Sequence, residues 1–137
     1  MLGYDLLAAY RKTHYKVFAD PAFTLYVGEH SPALAQRLNQ AVQPTAAFIS
    51  ACNPHSQLLG SAENSLRQKA LASTLASGGW EFLHGIGEDP AQQWPGEASF
   101  LVLGISQEKA EALAHQFGQN AILFCTAEAI PELVVLV

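Results

Sequence analysis

The segment Ser99–Thr126, "SFLVLGISQEKAEALAHQFGQNAILFCT", decides how this chain folds. Its opening run, "SFLVLGI", is apolar without alternation, the character of a central strand covered on both faces. Ser106 then stands where a helix would be capped. Ala110, Leu113, Ala114 and Phe117 recur at i, i+3, i+4, i+7, Gly118 supplies a stop, and "NAILFC" resumes a strand. The earlier segment Phe23–Ala51, "FTLYVGEHSPALAQRLNQAVQPTAAFISA", repeats that order. Gly28 answers Gly104, Ser31 answers Ser106, Leu38 answers Leu113 and Val42 answers Phe117. Two β-α-β units of this kind predict right-handed crossovers between parallel strands. The fold class expected is α/β (α+β), with one mixed β-sheet of about six or seven strands, helices packed on it and duplicated β-α-β units.

The rest of the chain fits around these units. "LLAAYRKT" reads as a short helix, and "HYKVFA" and "FTLYVG" as a hairpin turning at Asp20 and Pro21. Ser31 with Pro32 begins a helix that Pro44 ends, and along it Leu34, Leu38, Ala41 and Val42 keep helical spacing. "TAAFISA" is a buried strand. Ser61 is placed as the cap of a helix running to Gly78 and Gly79, "WEFLHGI" is the next strand, and "ELVVLV" is the last. A Pro and Gly loop, "GEDPAQQWPGE", leads into Ser99.

The chain has 137 residues, a length that fits a single globular domain over residues 1–137. Half of the residues are hydrophobic and 14% are charged, which points to a thick core, a subunit interface or both. The net charge is -5, and the seven Lys and Arg are scattered apart from "RKTHYK". A broad basic face for nucleic acid is disfavoured, although contact with a single phosphate is not. Neither a leader peptide nor an apolar run of membrane-spanning length is read, which places the chain in the cytoplasm and away from membranes. Cys52 and Cys125 lack CxxC spacing and read as buried free thiols, and the five dispersed histidines give no metal pattern. The sequence leaves the cofactor unknown. The "GIG" at 85–87 is far short of a dinucleotide fingerprint and reads as a tight backbone bend.

Candidate chemistry concentrates in Phe48–Gln68, "FISACNPHSQLLGSAENSLRQ", where an apolar strand runs into small polar and charged residues. Placing Glu63 at 0° with roughly 100° per residue centres the stripe of Leu66, Ala70, Leu71 and Leu75 near about 30° and puts Arg67 near about 40°. Glu63 and Arg67 are therefore expected to point inward, with Ser65, Gln68, Lys69 and Ala72 outward. An inward charge must be paired or must face a wet cavity. One reading is an i, i+4 ion pair bracing the "NPHSQ" loop; the other is a ligand pocket in which Arg67 grips a phosphate or carboxylate beside Asn53, Ser56 and Asn64.

A second candidate is the loop from His84 to Ser99, with Asp89, Trp94, Glu97 and Ser99. Trp94 could stack on a base or sugar, or anchor its own loop. Glu97 stands just before the central strand. Glu63 and Glu97 are the candidates for catalytic acid and base, ranked above His55 and His84. Gln119 and Asn120 fit turn chemistry and, if their end of the sheet faces the "NPHS" loop, could join the same cleft.

The pieces "YRKTHY", "AAFISACNPHS", "ENSLRQ", "GIGEDPAQQWPGEASFLVLGI", "FGQNAILF" and "PELVVL", in this order, resemble an uncharacterised bacterial family, domain of unknown function 3293. The resemblance implies a stand-alone bacterial domain. It picks out Tyr10, Arg11, Asn53, Pro54, Ser56, Glu63, Asn64, Arg67, Asp89, Trp94, Pro95, Glu97, Ser99, Gln119 and Asn120 as recurring positions. It supplies no reaction.

The function expected is a small-ligand-binding domain, with enzymatic activity left open, for an anionic metabolite or nucleotide. The cleft would use Asn53, Ser56, Asn64, Arg67, Trp94, Ser99, Gln119 and Asn120, with Glu63 or Glu97 as acid or base. The alternative is a protein-interaction or homo-oligomeric module whose polar residues form a structural network.

Overall fold

A computed structural model describes residues 3–137. Helix α1 (Tyr4–Lys12) precedes the hairpin of β1 (His14–Val17) and β2 (Phe23–Leu25), followed by α2 (Pro32–Asn39) and β3 (Ala46–Ile49). A single 3-10 turn (Pro54–Ser56) leads to α3 (Ser61–Ser77), then β4 (Glu81–Glu88), β5 (Glu97–Leu103), α4 (Gln107–Gln116), β6 (Ala121–Cys125) and β7 (Glu132–Val135). The strands form one seven-stranded sheet in the order β2-β1-β4-β5-β3-β6-β7. The fold is α+β. No helix among the described residues is long and apolar enough to cross a membrane.

Every neighbouring pair in this sheet is antiparallel, so the crossovers do not create parallel neighbours. They do join strands that run the same way. β3 lies between β5 and β6, and three strands lie between β2 and β3. A buried apolar run records that a strand is covered on both faces, but not which strand is beside it, so the sequence could not show the intervening strands. Both crossovers advance in one sense across the sheet from strands of opposite direction. If both are right-handed their helices must pack on opposite faces, and they do. Leu34 and Leu38 of α2 pack with Val17, Phe48, Leu101 and Leu123, whereas Leu113 and Ala114 of α4 join α3 over Ile49, Phe100 and Val102.

Local signals explain the element ends. The Ser31 and Ser106 hydroxyls accept from the N–H groups of Leu34 and Lys109, at 3.1 and 3.2 Å, as N-caps should. Gly28 and Gly104 share left-handed φ values of 82° and 78°. The likeness of the two units stops at the helix ends. α2 finishes at Asn39, well before Pro44, so Val42 is 96% exposed while its counterpart Phe117 is buried. Ser61 is the first residue of α3 rather than its cap; Gly60 holds the cap position and no side chain caps the helix.

β3 and β4 finish at the end of the sheet where β1, β5 and β6 begin. The loops 50–60, 89–96 and 118–120 and the junction of α1 with β1 therefore gather at that one end.

Candidate functional site

The site starts from two glycines. Gly85 and Gly87 lie within β4, two residues apart and so on one face, and there is no bend at "GIG". Across the sheet Val17, Gly85 and Ser99 form one register row, and Tyr15, Gly87 and Glu97 the next. The face over Gly85 is filled: a Cβ there would sit 3.0 Å from the Phe48 ring and 2.5 Å from the Lys16 carbonyl oxygen. Over Gly87 there is room for a methyl: a Cβ would make only ordinary contacts, with the Thr13 methyl at 3.5 Å and the Tyr15 ring at 3.8 Å. The result is a cavity of about 70 Å³ between the side chains of Tyr15 and Glu97, which is room for a few water molecules or a small organic group.

Each wall comes from a different element. α1 and its junction with β1 contribute Tyr10 and Thr13, β1 contributes Tyr15, β3 and the residue after it contribute Phe48 and Ser50, and the following loop contributes Asn53 and Ser56. The opposite side holds Trp94, Glu97 and Ser99, the α4–β6 loop brings Gln119 and Asn120, and the floor is Leu123 and Leu133. Of the residues singled out from sequence, Tyr10, Asn53, Ser56, Trp94, Glu97, Ser99, Gln119 and Asn120 meet here. Tyr15, Phe48, Ser50 and Gly87 were not singled out. The signal for Gly87 was present, because two glycines at i, i+2 inside an otherwise good strand leave one face without side chains.

Glu97 sets the electrostatics. Among the described residues its carboxylate accepts one hydrogen bond, from Asn53 Nδ2 to Oε2 at 2.7 Å. Burial raises its pKa above the ordinary carboxylate value, and the Asn53 bond opposes part of that rise. No Lys or Arg lines the cavity. The Tyr15 hydroxyl donates to the Tyr10 carbonyl at 2.6 Å, and burial holds it far above the usual tyrosine range, so it stays neutral. Cys52 is likewise pushed up by burial, which removes it as a ready nucleophile. His84 is exposed and packs edge-on to Phe100, whose side chain belongs to the other face of the sheet, and His55 is exposed. Neither lines the cavity.

Behind the wall lies a set of braces. Asn53 holds a left-handed conformation, φ 49°. Its side-chain oxygen accepts from Leu59 N and Asn64 Nδ2 at 2.9 and 2.8 Å, and its own N–H donates to Asn64 Oδ1 at 2.9 Å. Asn64 is thus a buttress and does not line the cavity. Arg67 is a buttress too: Nε donates to the Ala51 carbonyl at 2.6 Å and Nη2 to the Phe117 carbonyl, tying the end of β3 to the end of α4. Arg67 does not line the cavity, and two of its N–H groups are given to backbone oxygens.

The inward face of α3 is rotated from the one expected. Its buried residues are Gln68, Leu71 and Leu75, while Glu63 is exposed and Leu66 is 67% exposed. Gln68, expected outward, accepts from Ala51 N at 2.7 Å. A polar residue that satisfies a strand end carries no apolar signal, so the stripe was centred on Leu66 and Ala70 instead. The Glu63–Arg67 ion pair does not form; among the described residues the ion pair present is Lys16–Glu88, on the surface. Glu63 lies outside the cavity.

Two loops close the end. The Ser56 hydroxyl lies 3.2 Å from the Tyr10 hydroxyl and accepts from Asn120 Nδ2 at 2.8 Å, and His55 N donates to the Gly118 carbonyl at 2.8 Å. The "NPHS" loop and the Gln119–Asn120 turn are therefore joined. His55 and Ser56 share positive φ with Asn53, an unusual run for residues other than glycine. In the other loop the buried Asp89 carboxylate accepts from Ala91 N and Gln93 N at 3.2 and 2.8 Å, folding the chain so that Trp94 returns over the cavity.

No group of three or more His, Cys, Asp or Glu among the described residues could hold a metal ion. No curated protein and no solved structure matches the chain. The family model described as "Protein of unknown function (DUF3293)" matches residues 49–122, which include Asn53, Arg67, Trp94, Glu97 and Asn120 and leave out the "YRKTHY" and "PELVVL" pieces. That match covers more than half of the chain, and the protein belongs to this family of unknown function.

Proposed function

We propose that this protein is a small-ligand-binding domain whose ligand occupies the slot over Gly87, held by Glu97 and the hydroxyl and amide groups around it. One observation carries the reading: a half-buried carboxylate that accepts a single hydrogen bond among the described residues lines a partly open cavity. A carboxylate used only for scaffolding is ordinarily met by several donors or a cation, because desolvation is costly otherwise. If chemistry occurs, Glu97 is its acid or base. The small volume and the commitment of Arg67 elsewhere argue against a nucleotide, so the ligand is a compact metabolite. A cytoplasmic bacterial setting fits the buried free thiols of Cys52 and Cys125.

The test is a screen of small metabolites by thermal stabilisation, run on wild type and on Gly87→Ala. A ligand at 100 times its Kd stabilises by about 2.7 kcal/mol. Compounds that raise the wild-type melting temperature and lose the effect in Gly87→Ala support the reading. A screen with no Gly87-dependent compound contradicts it.

The alternative, an interaction or oligomeric module, is favoured by a different observation. Asn64, Arg67 and Gln68 are bound to backbone groups, and no buried side-chain polar atom among the described residues lacks a partner. On that reading the polar set only fixes loops, and sedimentation would find an oligomer in the absence of any ligand.

A further inference from the structure

Many of the donors in the cavity wall are engaged within the protein. Asn53 donates to Glu97, Asn120 to Ser56, and Gln119 to the Cys52 carbonyl at 3.0 Å. The hydroxyls behave alike: Tyr15 donates to the Tyr10 carbonyl, Ser50 to the Ala98 carbonyl at 2.8 Å and Ser99 to the Glu97 carbonyl at 3.0 Å. What a ligand meets includes hydroxyl and amide oxygens and a carboxylate that no cationic side chain in the lining neutralises.

Aromatic rings complete the picture. Tyr10, Tyr15, Phe48 and Trp94 all belong to the lining, and Tyr15 and Phe48 stand edge to face with centroids 5.3 Å apart. Ring quadrupoles attract cations and a desolvated site strengthens that attraction, while an anion would meet Glu97 with no countercharge. We infer that the ligand places a compact ammonium group, a protonated amine or a quaternary ammonium, in the slot between Tyr15 and Glu97. The ammonium neutralises Glu97, an N–H of a primary amine reaches the Ser99 hydroxyl, and a slot of about 70 Å³ takes the head group while any longer tail leaves past Trp94. The raised pKa of Glu97 agrees, since a carboxylate awaiting a cation is poorly stabilised without it. This inference rests on the ligand-site reading above and names the chemistry of the ligand.

The experiment is thermal melting at matched ionic strength with methylammonium, ethylammonium and tetramethylammonium chlorides, against ethanol, sodium acetate and sodium phosphate. Wild type, Glu97→Gln, Ser99→Ala and Gly87→Ala are compared, each against its own melt without ligand, so that a change in fold stability is not read as a change in binding. The expected result is a saturable rise with the ammonium compounds alone, weakened by at least about tenfold in Glu97→Gln, as loss of one charged contact implies, and removed in Gly87→Ala. Ser99→Ala should weaken the primary amines and spare tetramethylammonium, which has no N–H to donate. An equal ammonium effect in Glu97→Gln overturns the inference. A Gly87-dependent rise with ethanol, acetate or phosphate but not with the amines overturns the ligand class and leaves the cavity as a ligand site. No Gly87-dependent rise with any compound overturns both.

Discussion

Tyr15 and Glu97 face each other across a residue with no side chain, Gly87, on three adjacent strands of one sheet. Two strand spacings separate their backbones by roughly 10 Å, and all three residues line the cavity. Everything proposed for this protein depends on whether the gap is used.

Glu97 titration distinguishes use from scaffolding. A carboxyl whose pKa is raised by folding binds its proton more tightly in the folded state. Its contribution is fully present below the unfolded value of 4.5 and is lost as pH rises through the folded value. Glu97→Gln removes that loss. The variant is expected to melt higher than wild type at pH 7, with the difference closing as pH falls through the carboxylate range. A lower melting temperature at pH 7 would make ionised Glu97 a net support of the fold.

Arg67 is expected to matter for stability first. Its two bonds to carbonyls at the ends of β3 and α4 are charge-assisted, each worth roughly 1.5–3 kcal/mol. Arg67→Ala should cost about 2–4 kcal/mol in urea unfolding, whereas Glu63→Ala on the exposed face should stay within about 0.5 kcal/mol. Comparable losses in the two variants would contradict the bracing role.

The two glycines of β4 should respond oppositely. Gly85→Ala drives a methyl to 2.5 Å from the Lys16 carbonyl and 3.0 Å from the Phe48 ring, so a destabilisation of roughly 1–3 kcal/mol is expected. Gly87→Ala meets only ordinary contacts and should be neutral or slightly stabilising, by up to about 1 kcal/mol, because the unfolded chain loses freedom. Equal destabilisation would mean that the space over Gly87 is closed.

Asn53→Asp swaps the donor facing Glu97 for a second carboxylate oxygen while keeping the acceptor for Leu59 N and Asn64 Nδ2. Like charges at that spacing should destabilise the variant at pH 7 by about 2 kcal/mol and recover in acid. Melting curves across pH would show it, and a pH-independent loss would point to the backbone instead.

What the sequence revealed was local. Ser31, Ser106 and Gly118 mark helix ends by chemistry acting within one turn, and the strands around them followed. The sheet order was hidden because the insertion of β3 between β5 and β6 is a long-range choice that an apolar run does not encode. Most of the site was legible as polar residues beside strand ends, including the meeting of Ser56 with Asn120. The errors came from Gln68 and Glu63, where a buried amide serving Ala51 looks like a surface residue and a surface carboxylate on the opposite flank looks inward. The cavity itself arises from absent atoms at Gly87, which a search for chemistry-bearing side chains passes over.

The most direct test of the central claim is an amide-resolved NMR titration of the 15N-labelled protein with the small-molecule fraction of a cell extract. The account predicts saturable shifts concentrated at Tyr15, Gly87, Glu97 and Ser99 that are absent in Gly87→Ala. Shifts scattered over the surface, or none at those four positions, would contradict it and return the polar residues to a purely structural role.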